Sequence, residues 1–320
     1  MSAAAAIPVI DLEAFVKGDP AALDATARSI GEAARGIGFF AVTGHGVPAA
    51  LLGDVFAAAR ALFAQPLAVK EALAIEKAGN NRGWVRLGAE ALDPSRPADL
   101  KEAFNVGLEL PADDPDIRDR KPFRGPNVWP EIPGWRDTVL AYFDAVWRLG
   151  TLLHEPVAVD LGLPRRWFAD RLDRPLATLR LLRYPPAPAD APEGAIGAGV
   201  HTDYGNLTLL LTDDSGGLEV QARDGTWIRA PHLPGAFIVN IGDCLMRWTN
   251  DVYVSTPHRV IHTAQRERIS IAFFLDPNPD AIVEALPSCA GPGRPARYPA
   301  ITGADYLRER LDATYAHRRG

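Results

Sequence analysis

The sequence has little cysteine and no excess of basic charge. Only Cys244 and Cys289 occur among 320 residues, too few for a disulfide framework or a thiolate metal site. The 34 Lys and Arg residues stand against 40 Asp and Glu residues, which gives a formal net charge of −6. Since no basic surplus is present to neutralise phosphates, we expect no nucleic-acid partner.

Long hydrophobic runs are also missing. No run of about 18 apolar residues occurs, so the sequence predicts no transmembrane helix and no membrane partner. The segment that starts at Met1 lacks the basic and apolar regions of a signal peptide. These absences, together with the two isolated cysteines, predict a cytoplasmic monomer or weak dimer without disulfides.

Helical and strand patterns occupy different parts of the chain. Apolar residues recur at helical spacing over 48–74, with a break near Gln65-Pro66, and over Gly134–Gly162. Shorter helices are predicted after Asp19, over Arg166–Leu172 and over 303–317. Short strands separated by turn signals are predicted at 176–184, 196–201, 207–212, 217–222, 226–229, 235–241, 256–263 and 269–275. This order favours an α+β protein with a double-sheet barrel or jelly roll.

A possible metal site lies within the strand region. His201 and Asp203 are two positions apart at the end of a predicted strand, so their side chains project from the same face. His258 lies in a later predicted strand. Two imidazoles and one carboxylate form the facial triad of non-haem Fe(II) proteins, which leaves coordination positions open for O₂ and a reductant.

A possible carboxylate receptor follows ten positions later. Arg268 and Ser270 place a guanidinium and a hydroxyl on one face of the next predicted strand. A planar guanidinium binds a carboxylate in a two-pronged manner, and Tyr184 offers a third donor from the strand that precedes the His201-Thr-Asp203 segment.

Other polar residues have structural interpretations. His262 lies four residues after His258, but a zinc His-x-x-x-His pair requires a helix and the flanks predict a strand. His45 lies in a Gly-His-Gly turn and is expected to be structural. Asn240, Gly242 and Asp243 are turn-forming residues and are predicted to build a turn.

The chain resembles the 2-oxoglutarate- and Fe(II)-dependent oxygenases of the isopenicillin N synthase-like superfamily over nearly its whole length. The segments that carry the resemblance in the leading half are Ile7-Pro-Val-Ile-Asp-Leu12, Gly38-Phe-Phe-Ala-Val-Thr-Gly-His-Gly-Val-Pro48 and Asp99-Leu-Lys-Glu-Ala-Phe-Asn105. Those in the second half are Arg183-Tyr-Pro-Pro186, His201-Thr-Asp-Tyr-Gly205, Gly217-Leu-Glu-Val220, Val239-Asn-Ile-Gly-Asp243, Arg247-Trp-Thr-Asn250, Thr256-Pro-His-Arg-Val260 and Arg268-Ile-Ser270.

The resemblance implies a fold, a domain division and two cofactors. The fold would be a distorted double-stranded β-helix, or jelly roll, with flanking helices. Residues 1–120 would form a leading region packed on the core, and 121–174 a helical connection. Residues 175–285 would form the Fe(II)/2-oxoglutarate jelly roll, and 286–320 a closing segment and helix.

The resemblance also implies roles for particular residues. His201, Asp203 and His258 would bind Fe(II), while Arg268 and Ser270, with Tyr184, would hold the distal carboxylate of 2-oxoglutarate. Many plant members carry Asn where this sequence has Leu182, which removes one polar contact near the cosubstrate.

The substrate pocket is expected to draw on several segments. Arg82, Trp84, Arg86 and Asn105 lie in segments that border the substrate in relatives, and the two arginines favour an anionic substrate. Leu207, Leu209 or Leu211, together with Phe104, Trp248 and Phe274, are further candidates, the last because it shares the face of Arg268 and Ser270.

The expected function is oxidation, by default hydroxylation, of a small-molecule substrate with O₂ and 2-oxoglutarate, releasing succinate and CO₂. One alternative is an oxidase like isopenicillin N synthase that needs no 2-oxoglutarate, where Arg268 and Ser270 would bind the substrate's own carboxylate. A second alternative is a metal-free binding protein on the same scaffold.

Overall fold

A computed structural model describes residues 6–90, 99–186, 196–262 and 266–314. Its strands are β1 (Val9–Asp11), β2 (Phe39–Thr43), β3 (Gly83–Val85), β4 (Glu102–Gly107), β5 (Thr178–Tyr184), β6 (Ile196–His201), β7 (Leu207–Thr212), β8 (Leu218–Gln221), β9 (Trp227–Arg229), β10 (Phe237–Ile241), β11 (His258–Ile261), β12 (Arg268–Leu275), β13 (Ile282–Val283) and β14 (Ile301–Thr302). Its helices are α1 (Glu13–Val16), α2 (Pro20–Gly36), α3 (Ala49–Phe63), α4 (Leu67–Ala72), α5 (Ile75–Ala78), α6 (Pro115–Arg118), α7 (Trp135–Asp160), α8 (Asp243–Trp248) and α9 (Gly303–Thr314).

The strands form one large and one small sheet with a third two-stranded ribbon. The large sheet has the order β1-β2-β10-β7-β12-β5-β4-β3, and the small sheet has the order β6-β11-β8-β9. Pairs between these strands are antiparallel, except that β1 is parallel to β2. Strands from the leading part of the chain thus extend both edges of the large sheet. The α+β jelly roll expected from the sequence is confirmed.

The sequence pattern predicted most of these elements, but two of its predictions are wrong. All eight strands expected between 176 and 275 are present, with ends trimmed by one or two residues in several of them. The helix expected at Arg166–Leu172 is only a 3₁₀ turn at Ala169–Arg171. Asn240 lies within β10, and Gly242 precedes α8, which was not expected. The expected turn at these residues is therefore a strand end joined directly to a helix. Residues 315–317 of the expected closing helix lie outside the described part.

Helix α7 packs on one face of the large sheet, so that the opposite face lies towards the small sheet. Gly150 approaches the sheet so closely that a Cβ there would lie 2.8 Å from Leu275 Cδ2 and 3.3 Å from Leu209 Cδ1. Phe143 packs edge-on against Phe273, with ring centroids 5.0 Å apart. Because alternate residues of a strand point to opposite faces, the neighbours of these residues project towards the small sheet.

Gly38 connects α2 to β2 in a conformation that favours glycine. Its φ is +70°, and a Cβ at this position would lie 2.3 Å from the backbone oxygen of Val254. We expect Gly38→Ala to lower the free energy of unfolding by about 1–3 kcal/mol, because it adds backbone strain and a clash with main chain. Urea denaturation measures this change.

Gly53→Ala provides the matched control. Gly53 is exposed within α3, and a Cβ there would meet nothing within 4 Å. This substitution should raise the free energy of unfolding by up to about 1 kcal/mol, because alanine favours helix more than glycine does. Similar effects of the two substitutions would contradict the assignment of strain to Gly38.

Candidate active site

A cavity of about 170 Å³ lies between the two sheets. Side chains at alternate positions of two adjacent strands of the large sheet form one wall, and residues of β6, β8 and β11 form the other. The wall on the large sheet includes Thr178, Arg180, Leu182 and Tyr184 from β5 and Arg268, Ser270, Ala272 and Phe274 from β12. Leu307 and Leu311 of α9 also line the cavity.

His201, Asp203 and His258 meet in this cavity. His201 ends β6, His258 begins β11, and the two residues are directly paired across the strands. Their ring centroids are 4.3 Å apart. One potential ligand atom from each of the three residues lies within 4.8 Å of the other two. The Nε2 atoms of His201 and His258 are 3.8 and 3.7 Å from Asp203 Oδ1.

Backbone carbonyls orient both imidazoles. Nδ1 of His201 lies 2.7 Å from the oxygen of Gly199, and Nδ1 of His258 lies 3.1 Å from the oxygen of Thr256. Since a carbonyl can only accept a hydrogen bond, each Nδ1 carries the proton and each Nε2 offers a lone pair to the cluster. Burial, and secondarily the neighbouring His258, lower the pKa of the His201 imidazole, which favours the neutral, metal-binding form.

Asn240 orients the carboxylate, a role that the sequence did not reveal. Its Nδ2 donates a 2.8 Å hydrogen bond to Asp203 Oδ2, so Oδ1 faces the imidazoles. Burial opposes the charged form of Asp203, but the attraction of the imidazoles when they are protonated, together with hydrogen bonds such as that from Asn240, outweighs burial and lowers the pKa of the carboxyl. The signal available in the sequence is that Asn240 is the one polar residue of the apolar segment Phe237–Ile241.

Arg268 is buried beside Ser270 and Tyr184. Its side chain donates from Nη1 to Ser270 Oγ at 3.0 Å and from Nε to the oxygen of Gly216 at 2.7 Å. The guanidinium carbon lies 4.7 Å from the centre of the Tyr184 ring. Nη2 is buried and has no hydrogen-bond partner among the described residues. The arginine therefore keeps one donor available for a group that enters the cavity.

Of the ten residues considered for the substrate pocket, two line the cavity, namely Asn105 and Phe274. The other eight lie elsewhere. Arg82 donates to the oxygen of Phe123, Trp84 donates to Glu102, and Arg86 is exposed. Phe104 packs against Trp135, Trp248 packs against Trp167 and Phe168, and the three leucines of β7 considered are in the core. Neither arginine thus supports an anionic substrate.

Strand alternation explains these corrections. Leu207, Leu209 and Leu211 belong to the core cluster that includes α7, whereas Thr208 and Leu210 line the cavity. Because side chains alternate along a strand, odd-numbered and even-numbered residues of β7 lie on opposite faces of the sheet. The sequence alone did not show which of these faces lines the cavity.

A charged wall that the sequence did not reveal lies beyond the metal-binding candidates. Lys101 Nζ is 3.6 Å from Glu90 and also pairs with Asp99, while Arg180 pairs with Glu90. Lys101, Arg180 and Glu90 all line the cavity. Their carboxylates and cations are matched within the wall, so this part of the cavity is polar without a surplus of either charge.

Asp276 is a further buried acid on the cavity wall that the sequence did not reveal. Its exposed fraction is 5%, and it lies just beyond the end of β12. Burial, with a smaller contribution from the charge of Asp203, raises the pKa of the Asp276 carboxyl to about 7.

The remaining histidines considered from the sequence lie outside this cluster. Nε2 of His262 is 2.9 Å from the oxygen of Pro185, and its ring centroid is 6.0 Å from that of Tyr184. Nε2 of His45 is 2.7 Å from the oxygen of Gly235, and its Nδ1 accepts from the backbone of Val47. Both histidines therefore have local structural partners.

Sheets, cavity and side-chain cluster together define a jelly-roll protein with a two-histidine, one-carboxylate site. Residues 7–132 match the family described as the non-haem dioxygenase in morphine synthesis N-terminal domain, and residues 176–277 match the 2OG-Fe(II) oxygenase superfamily. The 2-oxoglutarate-Fe(II) type oxidoreductase hxnY of Emericella nidulans is 37% identical over 316 residues, which cover 96% of this chain and 90% of that protein.

Solved structures give the same result. A full-length Neurospora crassa protein in complex with α-ketoglutarate (2-oxoglutarate) has a TM-score of 0.86 at 31% identity, covering 97% of this chain and 96% of that one. The same Neurospora protein has also been solved with α-ketoglutarate and thymine. JOX2 in complex with 2-oxoglutarate, Fe and JA has a TM-score of 0.78 at 31% identity, covering 97% of this chain and 85% of that one.

The chain belongs to the 2OG-Fe(II) oxygenase superfamily. It is a 2-oxoglutarate-dependent oxygenase that uses Fe(II) as cofactor and 2-oxoglutarate as cosubstrate. The oxygenase interpretation is thereby favoured over the oxidase and over the metal-free binding protein. No helix among the described residues combines the length and the apolar character needed to cross a bilayer.

Proposed function

We propose that this oxygenase hydroxylates a small polar molecule, with Fe(II) held by His201, Asp203 and His258. Arg268 and Ser270, assisted by Tyr184, hold the distal carboxylate of 2-oxoglutarate. The observation that carries the proposal is the buried, unpaired Nη2 of Arg268 in the same cavity as the three candidate ligands.

The three candidate ligands suit a divalent transition-metal ion with open coordination positions. Two neutral Nε2 atoms and one carboxylate oxygen converge from one side, while the cavity lies on the other. When bound, Fe(II) supplies the centre at which 2-oxoglutarate and O₂ react. The protein contributes fixed ligand orientations through Gly199, Thr256 and Asn240.

Arg268, Ser270 and Tyr184 together form a carboxylate clamp, which suits a carboxylate better than a neutral group. Arg268 is 1% exposed and has no acidic ion-pair partner among the described residues, so its charge is not balanced locally. An isolated buried charge is unfavourable unless a partner enters. A carboxylate of the cosubstrate would supply both the opposite charge and an acceptor for Nη2.

The cavity wall favours a small polar substrate that carries an apolar or aromatic part. Phe274, Leu210 and Leu307 provide apolar contact surface, whereas Asn105 and Arg180 provide hydrogen-bonding groups. The complex of the Neurospora protein with thymine is an example of a small polar ring bound by a similar protein. A volume of about 170 Å³ suits a small molecule, which supports a substrate of this size without a nucleic-acid partner.

The proposal includes the cellular compartment and the oligomeric state of the enzyme. Cys244 and Cys289 are both free and buried. This arrangement supports a monomer or weak dimer in the reducing cytoplasm.

Loss of a ligand tests the metal assignment. We expect Asp203→Ala or His201→Ala to abolish Fe(II)-dependent turnover, because removal of one ligand of three weakens the site and opens it further. Asp203→Glu should reduce turnover less, since it retains a carboxylate but displaces it. The control is Asp214→Ala, because the Asp214 side chain is 69% exposed and pairs with Arg266 outside the cavity. Wild-type iron content and activity in either alanine variant would refute the assignment.

Asn240 should act as a positioning residue for Asp203. Asn240→Leu should weaken Fe(II) binding by about ten- to a hundredfold, because Asp203 Oδ2 loses its donor and the carboxylate loses its orientation. Equilibrium Fe(II) titration measures this change. Asn206→Leu is the matched control, since Asn206 is equally buried but its side chain contacts His154. Equal Fe(II) affinities of wild type and Asn240→Leu would show that the hydrogen bond has no such role.

Arg268→Lys tests the cosubstrate assignment. Lysine retains the charge but loses the two-pronged geometry, so the affinity for 2-oxoglutarate should fall by about one to two orders of magnitude. The affinity for Fe(II) should barely change. Both are read from the visible charge-transfer band that forms when 2-oxoglutarate is added anaerobically to the protein with Fe(II).

The control for this experiment is Arg266→Lys. Arg266 has a side chain that is 56% exposed and pairs with Asp214 outside the cavity. Equal 2-oxoglutarate midpoints for wild type and Arg268→Lys would remove Arg268 from the cosubstrate site. A wild-type protein that gives no band would contradict the proposed function as a whole.

A further inference from the structure

Asp276 is the one acid on the cavity wall, among the described residues, that has neither a hydrogen bond nor an ion pair and lies outside the ligand cluster. It is 5% exposed, and no donor to its carboxylate is present in the described part of the chain. A Cβ placed on Gly205 would lie 3.0 Å from its Oδ1, so the carboxyl sits against the backbone that follows Asp203. Burial of such a group is costly unless a partner arrives.

Its position is opposite to that of the carboxylate clamp. Arg268 begins β12, and Arg268, Ser270, Ala272 and Phe274 face the cavity in turn. Asp276 continues this alternation just after the strand ends. At about 3.3 Å per residue, the clamp and Asp276 lie at opposite ends of the cavity wall. A molecule that contacts Asp276 therefore does not compete with 2-oxoglutarate for Arg268.

The charge of Asp276 is not balanced by any neighbouring cation among the described residues. Lys101 and Arg180 already pair with Glu90, and Arg310 of α9 pairs with Asp243. A ligand atom of positive charge would thus be favoured at this end of the cavity, and a carboxylate would be repelled.

We propose that Asp276 is a specificity-determining residue that binds a positively charged nitrogen of the substrate, such as a protonated amine. This inference rests on the proposed function and narrows its substrate to a small cationic molecule. The ammonium group would pair with Asp276, while the apolar part would lie along Phe274 and Leu307.

The test uses a cationic and a neutral probe of similar shape, benzylammonium and benzyl alcohol. Each is titrated calorimetrically into the enzyme loaded with Fe(II) and 2-oxoglutarate under anaerobic conditions. Wild type should prefer benzylammonium by about tenfold or more, since a charge-assisted hydrogen bond in a buried site contributes on this scale. Asp276→Asn should lose this preference, whereas its affinity for benzyl alcohol should change less than about twofold.

Asp280→Asn is the matched control, because it makes the same change four residues later on a side chain that is 73% exposed. Asp276→Glu should retain part of the preference for the cation. The 2-oxoglutarate midpoint from the charge-transfer band should be the same in wild type and Asp276→Asn. This midpoint separates the two hypotheses, since failure of the proposed function removes the band from wild type as well.

Three results would overturn the inference. The first is a wild type that binds the two probes equally, which does not depend on the folding of any variant. The second is an Asp276→Asn protein that keeps the preference for benzylammonium. The third is a parallel loss of 2-oxoglutarate or Fe(II) binding in Asp276→Asn, which would place the residue in the metal site instead.

Discussion

The pairing of β6 with β11 is the constraint on which the site depends. It sets His201 directly opposite His258 although many residues separate them in the sequence. The register shifts between His258 and Val260, as at a β-bulge, and bulges commonly re-aim side chains beside active sites. Asp203 then needs only to follow His201 by two positions for all three groups to converge.

Packing behind the large sheet defines the cavity in front of it. Helix α7 lies close to β7 and β12 at Gly150, and Leu207, Leu209 and Leu211 of β7 fill the core on that side. The opposite face of the same strands is left to Thr208, Ser270 and their neighbours, which line the cavity. The core and the site are thus two faces of one set of strands, and a substitution on either face alters the other only through the backbone.

The cavity is electrostatically divided along β12. Its one end carries the unpaired donor of Arg268, and its other end carries the unpaired carboxyl of Asp276. The same cavity holds the histidine cluster and a wall in which Lys101 and Arg180 are balanced by Glu90 and Asp99. Such a division allows a cosubstrate and a substrate of different charge to occupy one cavity without exchanging places.

Local patterns in the sequence determined much of the fold and several candidate site residues. The alternation of short strands predicted the jelly roll, and apolar spacing predicted α7 almost to its ends. The spacing of His201 and Asp203, and that of Arg268 and Ser270, followed from the period of a strand, because neighbours two apart must share a face.

Tertiary structure determined which side chains reach the cavity, because a local sequence pattern holds no information on the order and register of distant strands. Asn240, Arg180 and Asp276 reach the cavity because of the register and order of strands distant in the sequence, and no local signal specified either. The same reason explains why Trp84, Phe104 and Leu207 lie in the core: a strand pattern shows that two faces exist, but only the packing of α7 on the sheet determines which of them is covered.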